Sequence, residues 1–204
     1  MLTAHTQTER GFTLIEMMIA LAIGGIIFAA ITTSFTFMRK TYRVQEEVSD
    51  MIENARVAMD IMTREIRMAG YDPQGIGITG IVWDCSLSPP VLELRMDLNG
   101  TGSYFGANEW ILYRYDSTNK KIDRRVGFGS YLPLIEGIQS VTFQPLDASG
   151  NATCTDANIR EVRLTIVART PKPDPSWSSN GGYRTFTLRS VIQPRNLSDR
   201  MQDP

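Results

Sequence analysis

The run from Phe12 to Met38 constrains this chain more than any other stretch. It is 27 residues long and carries one charge, Glu16. At about 1.5 Å per residue a helix over this run is ~40 Å long, against a hydrocarbon core of ~30 Å. Such a helix crosses a bilayer with tilt, or crosses it and enters the head-group layer. A carboxylate inside an apolar span is costly and needs a partner. A secretory signal peptide is too short a template, because its apolar core covers 7–15 residues and is followed by a small-residue cleavage site. Here the run passes directly into a charged helical pattern. An ordinary single-span anchor fits the length but accounts neither for Glu16 nor for Gly11 on the polar side of the run.

From Arg39 the pattern changes without a break. Val44, Val48, Met51 or Ile52, Ala55, Met59, Met62, Ile66 and Ala69 recur every three or four residues, which is one apolar face of an amphipathic helix. Arg43/Glu47, Arg56/Asp60 and Asp60/Arg64 stand four apart with opposite sign. No proline falls between Phe12 and Ala69, so one helix of about 58 residues is expected. Gly70 reads as its stop, with Pro73 just beyond. Gly24-Gly25 interrupts the apolar half. Each glycine weakens a helix by roughly 1 kcal/mol, so the pair marks either a place to bend or melt, or close packing of small residues.

Beyond the helix the chain reads as strands and turns. Strands are expected over Ile78–Trp83, Val91–Asp97, Glu109–Asp116, Lys121–Val126, Ile138–Pro145, Ile159–Arg169 and Arg184–Ile192. Several alternate apolar with polar, so one sheet face packs on the helix and the other meets solvent. Asp116–Lys120 reads as a hairpin turn and Thr170–Tyr183 as the longest loop. The tail from Pro194 is polar and expected to fray.

Composition narrows the function. The net charge is −1, so no strong field points to nucleic acid. The only histidine is His5; a chain trimmed beyond it has no His-based acid–base chemistry or metal ligation. Gly75-Ile-Gly77-Ile-Thr-Gly80 matches G-x-G-x-x-G in letters, but follows a helix and opens a strand, the reverse of a dinucleotide fingerprint. Asp97, Asn99 and Thr101, with Gly102 after them, resemble the first half of a calcium loop. The twelfth position is Asn108, and one carboxylate among the early ligands is weak charge for Ca²⁺. These three are a weak calcium candidate, and a turn between two strands is the plainer account. Lys120, Lys121, Arg124 and Arg125 form the one basic cluster, read as a solvated hairpin. Trp177, in the long loop, is the tryptophan best placed for a partner.

Gly11-Phe12-Thr13-Leu14-Ile15-Glu16, joined to the long apolar run, resembles the type IV prepilin signature, in which a peptidase cuts after the glycine and the new N-terminal Phe is methylated. Glu53-Asn-Ala-Arg56 followed by Arg64-Glu-Ile-Arg67-Met-Ala-Gly-Tyr71 is similar to PilW-type minor pilins, with the J-type pseudopilin of type II secretion as a near relative. Major pilins commonly carry a proline where this chain has Thr33, a departure that argues against a major-subunit role.

The resemblance implies an α+β, pilin-like fold. Residues 1–11 form a cleaved leader, 12–38 a transmembrane and filament-core helix, 39–70 its amphipathic continuation and 71–204 a β-rich head. It implies Gly11 and Phe12 as sites of cleavage and N-methylation, and Glu16 as an assembly determinant whose charge meets a neighbour's Phe12 amine. Such a charge is tolerable in an apolar core only when paired. The partners implied are other pilins, the prepilin peptidase, an inner-membrane assembly platform and inner-membrane lipid. The head is expected in the periplasm, then on a surface pilus or a periplasmic pseudopilus. Arg39, Lys40 and Arg43 outnumber the charges before the span, and the orientation rests on the resemblance alone. In that oxidising compartment Cys85 and Cys154 are expected to bridge. No cofactor, catalytic residue or nucleic-acid partner is expected, although a filament-displayed head could bind DNA, a surface or a tip adhesin.

Overall fold

The computed structural model describes residues 11–198. The chain divides into two units, Met1–Gln45 and Glu46–Pro204. Helix α1, Leu14–Met68, runs through both without interruption. The structure thus contains the long helix the periodicity predicts.

In the first unit every described residue from Gly11 to Arg43 is exposed. The helix is long and apolar enough to cross a membrane. Its threonines do not leave polar hydroxyls loose. Thr32 Oγ1 donates to Phe28 O (2.8 Å), Thr33 Oγ1 to Ala29 O (2.9 Å) and Thr36 Oγ1 to Thr33 O (2.8 Å). This back-bonding satisfies each hydroxyl on its own helix, which an apolar medium requires.

In the second unit α1 buries Met51, Ala55, Ala58, Met62 and Ile66, while Val48, Ile52 and Met59 are partly buried against the same core. This is the expected face, with Ala58 deeper than Met59. Of the paired charges on its solvent side, Asp60 and Arg64 form an ion pair.

Eight strands follow: β1 Ile81–Trp83, β2 Val91–Arg95, β3 Trp110–Asp116, β4 Lys121–Val126, β5 Leu132–Glu136, β6 Ile138–Leu146, β7 Glu161–Arg169 and β8 Thr185–Ile192. They make two antiparallel sheets, β1-β2-β3-β4-β5 and β6-β7-β8, where the sequence reading has one. Strand β5 is absent from that reading because Pro133 falls within it; a strand at a sheet edge tolerates the missing N–H. Both sheets face one core: Leu92, Leu94, Ile111 and Tyr113 from the first meet Phe143, Val162, Leu164 and Ile166 from the second.

The helix ends by joining the first sheet. Gly70 N–H donates to Arg95 O (2.9 Å), and Asp97 N–H donates to Tyr71 O (2.7 Å). Gly70 has φ +77°, the left-handed conformation that ends helices. Gly80 passes so close that a Cβ there would overlap the Gly70 backbone. The loop between them is held by Asp72, which accepts N–H groups from Ile76 (3.2 Å), Gly77 (2.8 Å) and Ile78 (3.1 Å). The Gly75–Gly80 segment is therefore a helix-to-strand loop, as its context predicts. The tail differs from expectation: α2, Arg195–Ser198, buries Leu197 over Gly70.

Midway along the core, Glu65 of α1 binds β3 and β4. It accepts the Tyr113 hydroxyl and, at 2.8 Å, Arg124 Nη2. Burial, then the Glu65 carboxylate, raise the Tyr113 phenol far above its ordinary value.

Cys85 and Cys154 are bridged, with Cα atoms 5.8 Å apart. The bridge links the β1–β2 loop to the segment before β7. Beside it Trp83 N–H donates to Asp156 Oδ1 (2.9 Å), so the edge of one sheet is tied to the approach of the other.

The Thr170–Tyr183 loop joins β7 to β8, as expected. Asp174 holds it, and its carboxyl is lowered from 3.8 to about 2 by the Ser176 hydroxyl, the Ser176 N–H and Arg184. The folded value lies below the unfolded one, so the stabilisation is complete above about pH 4 and lost as pH falls through about 2. Urea midpoints of wild type and Asp174→Asn should differ at pH 6 and converge as the pH falls to about 2. A constant difference across that window would show that the charge on Asp174 contributes nothing to stability.

Candidate functional site: the N-terminal segment

Gly11, Phe12 and Thr13 lie outside the helix, which starts at Leu14. Phe12 is 85% exposed and Gly11 has open space around its Cα. The Gly11–Phe12 bond is thus non-helical, accessible backbone.

The boundary is set by a contact absent from the sequence reading. Thr13 N–H and Thr13 Oγ1 both donate to Glu16 Oε2, at 2.8 and 2.9 Å, and Glu16 N–H donates to Thr13 Oγ1 at 3.3 Å. This reciprocal arrangement is a capping box. Its signal, Thr-x-x-Glu before an apolar run, is legible in Thr13-Leu-Ile-Glu16. All the cap contacts on Glu16 fall on one carboxylate oxygen; among the described residues Oε1 has no partner. Thr13, which the sequence reading gives no role, therefore belongs to the site. Gly24 and Gly25 remain helical with open space at both Cα atoms.

The other sequence candidates lie in the head. Asp97 is buried, and its oxygens accept N–H groups from Thr101 (3.1 Å) and Gly102 (2.8 Å). Asn99 Oδ1 accepts from Thr101 N–H (3.0 Å) and Oγ1 (2.6 Å). Glu109, also buried, accepts from Leu98 and Asn99 N–H (both 2.9 Å) and from Gly106 N–H (2.7 Å). The oxygens that the calcium candidate offers are turned onto the loop's own backbone. Side chains are excluded at Gly106, where a Cβ would overlap the Glu109 carboxylate.

The basic cluster does not act as one. Lys121 pairs with Asp123 at 3.1 Å, Arg124 with Glu65, and Arg125 lies over the rings of Trp110 and Tyr131 at 5.6 and 5.0 Å. Alternation along β4 sends Arg124 and Arg125 to opposite faces. Trp177 is covered on one face by Arg184, at 4.9 Å.

Residues 6–32 match the prokaryotic N-terminal methylation motif. The chain thus carries a prepilin-type N-terminus, and among the described residues one helix, α1, is long and apolar enough to anchor it in a membrane. Among solved structures it is similar to a type IV-like pilin from Thermus thermophilus, at 13% identity over 72% of this chain and 97% of that chain, with a TM-score of 0.49. No curated protein matches the chain.

Proposed function

We propose that this chain is a minor subunit of a type IV pilus, cut after Gly11, N-methylated at Phe12 and inserted through α1 into the filament or its priming complex. The observation that carries this reading is Glu16: an acid in an apolar helix, four residues after a non-helical Gly11–Phe12 bond within the methylation motif. Cleavage creates an amine at Phe12. One oxygen of Glu16 caps its own helix while the other is available to a neighbour's amine, which cancels both charges in an apolar core. Gly24-Gly25 is the place where α1 loosens when it leaves lipid. The partners are the peptidase that cuts, other pilins and an assembly platform in the inner membrane, with the head on the periplasmic side before assembly.

Mass spectrometry of the protein isolated from its own cells tests the reading. The expected chain starts at methylated Phe12, and Gly11→Leu should leave the precursor uncut. A mature protein that still begins at Met1 overturns it.

A further inference from the structure

The outer face of the first sheet carries a cluster of rings that the anchor and the core do not require. Phe105, from the β2–β3 loop, and Phe128, from the β4–β5 turn, stack nearly parallel, with centroids 6.0 Å apart and planes at 14°. Trp110 meets Phe128 edge-on at 5.0 Å, and Tyr104 packs on Phe105 at 4.3 Å. Phe105 is 58% and Phe128 82% exposed. Phe128 stands between Gly127 and Gly129 at the tip of its turn, where core packing gives no reason for a ring. The loop beneath Phe105 is the one pinned by Asp97 and Glu109, so the platform is held rigid before any ligand arrives.

Polar groups flank the rings. Glu93 accepts from Trp110 Nε1 (2.8 Å) and from Arg95 Nε (2.6 Å), and Arg95 lies over the Tyr104 ring at 4.8 Å. Arg125 lies over Trp110, and its buried Nε has no hydrogen-bond partner.

We infer that this face binds the sugar rings of a neutral glycan. A pyranose presents an apolar C–H face ringed by hydroxyls. Exposed aromatic faces take the first, and adjacent guanidinium and carboxylate groups take the second. The charge balance disfavours a polyanion. Arg95 is paired with Glu93; Arg114 and Lys121 share Asp123, at 3.0 and 3.1 Å, and Asp116 lies 4.0 Å from Lys121. Among the described cations of this face Arg125 is the one with no carboxylate at ion-pair distance, and single-strand binding draws its strength from several phosphate contacts. The area disfavours a protein partner. Two rings exposed to this degree offer roughly 300 Å² of apolar surface, against ~450 Å² of apolar surface in the ~800 Å² per partner of a stable interface. The inference does not rest on the filament role.

The test is calorimetric titration of the full chain, held in a sugar-free detergent, with cellohexaose, laminarihexaose and maltohexaose, and separately with oligothymidylate. At least one hexaose should bind in the micromolar-to-millimolar range, with no dependence on salt. Phe128→Ala should weaken binding about tenfold or more and leave thermal unfolding unchanged, because the ring is exposed. Phe128→Trp should retain binding by keeping a ring face. If no hexaose binds, if Phe128→Ala binds as wild type does, or if oligothymidylate alone binds and is released by salt, the inference is overturned.

Discussion

Glu16→Ala is expected to leave cleavage after Gly11 intact while lowering the filament-associated fraction by about 100-fold or more. The size follows from leaving a neighbour's Phe12 amine unpaired in an apolar core, a cost of ~3–5 kcal/mol, where 1.4 kcal/mol is about tenfold in an equilibrium. The substitution also removes the cap on Thr13, but a lost cap costs only about 1 kcal/mol. Glu16→Gln separates the two effects. Gln serves a capping box as Glu does, so this variant keeps the helix start and loses only the charge. Quantitative immunoblots of sheared filaments against membranes give the ratio. If Glu16→Gln enters filaments as wild type does, the charge pairing is wrong and the cap is what matters.

The second large effect concerns the head. Replacing Cys85 and Cys154 together by serine should lower its stability by ~4 kcal/mol, the loop-closure value for the 69-residue separation. For a chain of this size the melting temperature then falls by roughly 8–16 °C. Thermal unfolding of the wild-type protein with and without reductant should show the same difference. The double variant should also become sensitive to protease between Asp84 and Pro90, because the bridge and the Trp83–Asp156 bond hold that segment together. A fall of less than about 2 °C would mean that the bridge closes a loop already closed by packing.

What could be read from the sequence depended on how local its cause is. Gly11, Phe12 and Glu16 are neighbours in the chain, so the prepilin-type motif they belong to is legible there; so is the apolar face of α1, which repeats with the helix. The capping role of Thr13 was equally local and needed only the Thr-x-x-Glu pattern. The sheets were harder. Alternation in Leu92, Leu94 and Val162, Leu164 tells which side chains turn inward, not which strands pair, so two sheets read as one. Asp97 and Asn99 have the composition of a cation loop, and spacing does not say that their oxygens face the loop's own N–H groups. The ring cluster could not be seen at all. Phe105 and Phe128 are single exposed aromatics in separate connections, and only the pairing of β3 with β4 brings them together.

The junction at Gly70 and Tyr71 has a mechanical consequence. If α1 is held and the head is pulled, the load is carried along the whole face that α1 buries in the head, Met51 to Ile66, and by the bonds of Glu65 to Tyr113 and Arg124. At the foot of that face two backbone links tie Gly70 to Arg95 and Tyr71 to Asp97, with Leu197 seated over Gly70. The Cys85–Cys154 staple lies farther along the chain. Resistance to pulling is therefore shared between the packed face of the helix and the seam that closes it.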